Sequence, residues 1–200
     1  MRTVAETAGA KPAIRVWDPI VRLFHWTIVL GYGINMWATE DGSDAHEVIG
    51  YVVLAAIAIR LVWGFIGSRH ARFTDFVPGP SRLSGYLRQL AKRREPRYIG
   101  HNPAGAIMML ALIALMLSVG VSGWMMTLDA YWGEEWLEEL HETLANAIWP
   151  LAGLHVLAAV IESFRHRENL IKSMITGRKR APSGTDVDHT RHAPDPGRGQ

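Results

Sequence analysis

The sequence predicts an all-α fold, an integral membrane four-helix bundle, on three observations. Apolar residues collect in four long runs, the basic residues lie in three segments separated by acidic loops, and four histidines fall at two depths of the apolar zone. The runs are Leu23 to Ala38, Ile49 to Gly67, Ala104 to Leu128 and Leu144 to Phe164. Each is about as long as a helix must be to cross a hydrocarbon layer of ~30 Å at ~1.5 Å per residue. A soluble bundle would carry polar stripes, yet Ala104 to Leu128 holds no ionisable residue.

The first helix, about 19–38, opens at Asp18 and Pro19, an N-cap followed by a residue suited to the first helical position. The second, about 46–67, begins at His46. Between the second and third, SRLSGYLRQLAKRR sets Leu83, Tyr86, Leu87 and Leu90 on one face with arginines around it, which predicts a helix of about 81–94 lying on the membrane surface against lipid. The third helix, about 103–128, repeats the opening signal at Asn102 and Pro103. The fourth, about 137–164, contains Pro150, which is expected to bend it. These elements make one membrane domain over 1–176. The remainder, 177–200, is rich in Pro, Gly and charge and is expected to be a disordered cytoplasmic tail.

All 21 Lys and Arg lie before Arg22, between Arg60 and Arg97, or from Arg165 onward, those boundary residues included. The two gaps hold acidic loops instead, with Glu40, Asp41, Asp44 and Glu47 in one and Asp129, Glu134, Glu135, Glu138, Glu139 and Glu142 in the other. The positive-inside rule then puts both termini and the middle loop in the cytoplasm. MRTVAETAGAKPAIRVWDP lacks the apolar core of a cleaved signal peptide, so the first helix is expected to direct its own insertion. With no cysteine, disulfides, iron–sulfur clusters, thiolate metal sites and covalent haem c are excluded.

An imidazole inside a membrane is costly and implies a partner. Of nine histidines, His70, His101 and His166 sit beside arginines or helix starts and His189 and His192 lie in the tail, so these five read as solvated or interfacial. Four remain. His25 lies one turn inside the cytoplasmic end of the first helix, His46 opens the second on the outer side, and His141 and His155 lie on the fourth. The last two are fourteen residues apart, hence ~21 Å along the axis and within about 40° of one direction. Depth therefore pairs His46 with His141 outside and His25 with His155 inside. Such pairs could hold zinc or copper, or relay protons. One zinc ion, however, needs ligands within a few ångströms, which His141 and His155 cannot supply together. Two sites of two imidazoles, each on opposing helices, suit two b haems stacked across the membrane. Gly31, Gly33, Gly50, Gly120, Gly123 and Gly153 would give a flat macrocycle close approach. Arg60 follows His46 by fourteen residues and so shares its face at the inner depth, where it is expected to pair with a haem propionate or to snorkel to the interface.

The stretches DPIVRLFHW, HEVIGY, GHNPAG and LHETLANAIWPLAGLH resemble the bacterial cytochrome b561 family, which includes the b-type cytochrome subunits of nickel–iron hydrogenases. The resemblance runs from about Val16 to Ser173. It implies a four-helix bundle in a bacterial inner (plasma) membrane, with two haem b held by His25, His46, His141 and His155. It also implies electron transfer between the quinone pool, with quinone an exchangeable substrate, and a redox partner. With both axial positions filled, outer-sphere electron transfer is the natural activity. The length departs from that of the hydrogenase subunits, so a c-type cytochrome or a dehydrogenase docked on the acidic outer loops is the expected periplasmic partner. Some relatives oxidise superoxide and reduce ubiquinone, but the outward loops offer no basic residue to gather that anion. A haem-free metal-binding or transport protein is the alternative of another class. No nucleic-acid partner is expected, and a dimer is admitted. Trp26, Trp37, Tyr51 and Trp124 read as interfacial belt residues.

Overall fold

Side chains of Asp18, Ser43 and Asn102 start three of the four long helices in a computed structural model that describes residues 12–188. A short strand β1 (Ala13–Arg15) leads to α1 (Pro19–Trp37), where Asp18 Oδ1 accepts from Val21 N at 2.9 Å. The other Asp18 oxygen accepts from Trp63 Nε1 at 3.1 Å and from the Ser68 hydroxyl, so one carboxylate ties the start of α1 to the end of α2 (Asp44–Ile66). Burial pushes this carboxyl up, but the bonds from Ser68, Val21, Trp63 and Ile20 outweigh it and hold Asp18 below the usual carboxylate value. The second helix starts at Asp44, two residues before His46, because Ser43 Oγ accepts from His46 N at 3.3 Å.

A short α3 (Phe73–Phe76) follows, and α4 (Pro80–Ala91) is the amphipathic helix expected at the surface. Its Tyr86 is buried and Leu83 and Leu90 half-buried, whereas Leu87 stays exposed. Helix α5 (Pro103–Met126) is capped by Asn102 Oδ1 on Gly105 N at 2.7 Å. Helix α6 (Glu135–Arg165) runs for 31 residues, continuing through Pro150 without interruption. The chain closes with α7 (Leu170–Thr176) and β2 (Arg178–Arg180).

Helix α1 packs on α2, α2 on α5 and α5 on α6. Val53 and Ile57 of α2, Ile113 and Met116 of α5 and Ile148 of α6 form the core between them. Outside it, Leu23, Leu30, Val52, Ile59, Val62, Phe65, Leu157 and Phe164 stand exposed, a surface that suits hydrocarbon and not water. Helices α2, α5 and α6 are long and apolar enough to cross a membrane. Helix α1 reaches 19 residues but is diluted by Arg22, His25 and Asn35.

The expected disordered tail is corrected for its first part. Residues 178–188 are folded: β2 pairs antiparallel with β1, with Ile14 opposite Lys179. Val187 N donates to Arg97 O at 2.8 Å and Ile99 N to Val187 O at 2.9 Å. Arg97 donates to Glu168 at 2.7 and 3.1 Å and to Asp186 at 2.6 Å, and Lys179 Nζ lies 3.4 Å from Glu168. Composition suggested disorder because it counts charges without their partners, and these partners lie far away in sequence. Residues 189–200, with His189 and His192, lie outside the described residues.

Candidate functional site

At the acidic end, His46 on the first turn of α2 faces His141 on the second turn of α6. Their ring centres are 6.2 Å apart with planes at 61°. Both rings are half-buried and held at Nδ1. The Thr39 hydroxyl, just after α1, is 3.3 Å from His46 Nδ1, and the Ser122 hydroxyl on α5 is 3.0 Å from His141 Nδ1. Gly123 is what allows this seat for His141, since a Cβ there would stand 3.0 Å from the ring's Cε1. The other glycines divide by role. Gly31 makes room for Val53 and Gly120 for Leu54, which lets helices approach, whereas Gly50 and Gly153 face open space among the described residues.

At the basic end, His25 of α1 lies within electrostatic range of His155 of α6. His25 Nδ1 is cut off from solvent and finds no hydrogen-bond partner among the described residues. Arg60 is 1% exposed, so it does not snorkel. Its Nη2 donates to Ala71 O at 3.1 Å, its guanidinium lies 5.1 Å from the Phe73 ring centre, and its Nη1 has no partner among the described residues. Between the two pairs, Tyr32 of α1 donates to Ala145 O at 3.0 Å, and Trp149 of α6 meets Tyr32 and Trp37 at 5.7 and 4.4 Å. These side chains bridge α1 to α6.

His101, expected at a solvated interface, is instead packed between Trp17 at 4.7 Å and Phe76 at 4.8 Å, its Nδ1 buried and unpartnered among the described residues. Burial first, then the charges of Arg60, Lys179, His155 and His70, push it down to about 3, so it is neutral at ordinary pH. His70 sits 3.6 Å from Asp188 and His166 3.1 Å from Glu162. Glu95, Glu162 and His166 bring ligand atoms within 4.8 Å of one another. Arg165 claims Glu95 at 2.7 Å and the Tyr86 hydroxyl donates to Glu162 at 3.4 Å, so the group works as an ion-pair lock between the loop after α4 and α6. Thr39, Ser122 and His101 were missed in the sequence. For Ser122 the signal was a hydroxyl beside Gly123 in an apolar run, and for His101 its place in GHNPAG.

The donor set can be tested against a haem. A metal–imidazole bond is about 2 Å. A ring nitrogen sits roughly 1 Å from its ring centre, because five bonds of about 1.33 Å close the ring. Two imidazoles on opposite sides of one iron therefore have centres about 6 Å apart, and His46 and His141 stand at 6.2 Å. Arg60 Nη1, without a partner among the described residues, is a donor suited to a carboxylate such as a propionate. The residues fit.

Apolar spans that bring two imidazoles face to face, with a buried guanidinium nitrogen left without a partner among the described residues, are the donor set of a membrane cytochrome of the b type. The chain belongs to the prokaryotic cytochrome b561 family, whose model matches residues 16–177. It is thus a bacterial membrane protein of electron transport, and its cofactor is haem b. It is 26% identical over 219 residues to a probable Ni/Fe-hydrogenase B-type cytochrome subunit of Bradyrhizobium diazoefficiens, covering 87% of this chain and 89% of the relative. Relatives with the same description from Rhodobacter capsulatus, 26% identical over 87% of this chain and 84% of theirs, and Azotobacter vinelandii, 25% over 86% and 90%, are similar to it. Each alignment runs over more positions than this 200-residue chain has, so the relatives carry residues that this chain lacks, in line with the expected departure in length. No solved structure matches.

Proposed function

We propose that this chain binds two b haems stacked across a bacterial inner membrane and carries electrons between the quinone pool and a redox partner at its acidic end. Helix α1 is the fourth span, and both termini are cytoplasmic, as the placement of Lys and Arg favours. Each bound haem supplies a one-electron carrier. His25 and His155 hold the inner one and His46 and His141 the outer one, each through a ring nitrogen with a free lone pair. Arg60 pairs a propionate of the inner haem with its unpartnered Nη1. Tyr32 and Trp149 keep α1 and α6 in register between the sites. The outer loops, all carboxylate and no Lys or Arg, suit a periplasmic partner with a basic docking patch. The relatives' description as hydrogenase cytochrome subunits favours a nickel–iron hydrogenase in that role. Quinone is the exchangeable substrate.

The observation that carries this reading is the facing of His46 and His141 at 6.2 Å from two different helices. The test is a dithionite-reduced minus oxidised spectrum of the detergent-purified protein, with pyridine haemochromogen quantification, for wild type, His141→Ala and His155→Ala. Two haems per chain are expected, with each substitution removing or converting a different one. A colourless wild type purified with ample haem refutes it.

A further inference from the structure

We propose that Thr39 and Ser122 are positioning residues for the outer histidine pair, and that they lower the reduction potential of the haem held there. The proposal rests on the two-haem reading above. A hydroxyl has one proton. That of Thr39 goes to Asn35 O at 3.1 Å and that of Ser122 to Val119 O at 3.0 Å, each a carbonyl one helical turn back in the chain. With its proton committed, each oxygen can only accept from the imidazole nitrogen it faces. We accordingly assign the ring hydrogen to the nitrogen that faces each hydroxyl, His46 Nδ1 at 3.3 Å and His141 Nδ1 at 3.0 Å. A neutral imidazole protonated at Nδ1 keeps its lone pair on Nε2.

Two hydroxyls from different elements thus impose one tautomer on two rings that face each other, and both rings are left with the nitrogen an iron needs. Nothing comparable serves the inner pair. His25 Nδ1 is buried without a partner, and neither His25 nor His155 makes a side-chain hydrogen bond among the described residues. The difference has an electronic consequence. An acceptor on Nδ1–H draws that proton outward and makes Nε2 a stronger donor to the metal. Stronger donation favours ferric over ferrous iron, so the two hydroxyls hold the outer haem below the potential its ligands alone would set.

Potentiometric titration of the purified holoprotein, read with low-spin ferric EPR, tests this on Thr39→Val and Ser122→Ala. With two haems still present, each variant is expected to raise the potential of one and the same haem. Its ferrous-to-ferric ratio at fixed poise should rise about tenfold, taking the lower end of the effect that losing an outer-shell partner has on metal affinity or activity, which is about 59 mV for one electron. The other haem stays where it was. Thr39→Ser and Ser122→Thr, which keep the hydroxyl, retain the wild-type potential. Two haems with both potentials unmoved in Thr39→Val and Ser122→Ala overturn the proposal. His46→Ala and His141→Ala test the underlying reading separately: retention of both haems in these variants overturns that reading, and with it the proposal.

Discussion

Arg97→Ala should release the C-terminal segment. The Arg97 side chain is 4% exposed and donates to both oxygens of Glu168, to Asp186 and to Arg180 O. Removing one member of a buried ion pair typically costs about 3–5 kcal/mol, since the remaining charge loses its partner. Here Glu168 keeps Lys179 at 3.4 Å and Arg180 N at 2.8 Å, and Asp186 keeps Ser183 N at 2.9 Å, so the lower end applies. A loss of about 3 kcal/mol raises the opened fraction of the segment by roughly two orders of magnitude. Trypsin reads this directly, because Lys179 is 5% exposed and its strand is paired, so cleavage after residues 178–180 requires opening. Cleavage there should accelerate about 100-fold in Arg97→Ala and less in Arg97→Lys, whose ammonium cannot fork across two carboxylates. Burial raises Glu168 and Asp186, but Arg97 and their other donors outweigh it and leave both below their usual values. Their contribution is thus present above the ordinary carboxylate range and lost as pH falls below about 4. A cleavage rate unchanged in Arg97→Ala would refute the latch.

Gly123→Val should cost one haem and spare the other. The first added carbon would already lie 3.0 Å from His141 Cε1, and the branches of Val would drive the ring from its seat. Haem content falling from two to about one per chain is the expected readout, and full retention of both contradicts it. His101 should make stability depend on pH on the acid side of neutrality. It is neutral in the fold down to about 3 but takes a proton near 6.5 when unfolded, so the unfolded chain binds more protons in that window. Stability is fully present above about 6.5 and falls with pH by about 1.4 kcal/mol per unit below it. Thermal unfolding of the purified protein at stepped pH should show this slope, and His101→Gln should flatten it.

The helices were legible because their signals are local. Asp18 with Pro19 and Asn102 with Pro103 mark starts within a few residues, and apolar runs of membrane length need no knowledge of the fold. The depth of each ligand candidate followed from helical rise alone, and the structure does bring His46 to His141. The tail could not be read this way. Lys179, Arg180 and Asp186 look like solvated charge until Arg97 and Glu168 arrive from elsewhere in the chain.

Length, hydropathy period and charge asymmetry in the sequence determined the number of long helices, the expectation of a membrane and the sorting of four histidines into two depths. All three are sums along one segment, so no neighbour can change them. Only the tertiary structure decided that Arg60 is buried with a free donor and that His101 lies between Trp17 and Phe76. It alone decided that Thr39 and Ser122 hold the outer rings, and that Gly31 serves a helix contact while Gly123 serves an imidazole. The physical reason is the same in each case: burial and hydrogen bonding belong to pairs of groups on different elements, and the pairing exists only once those elements have packed.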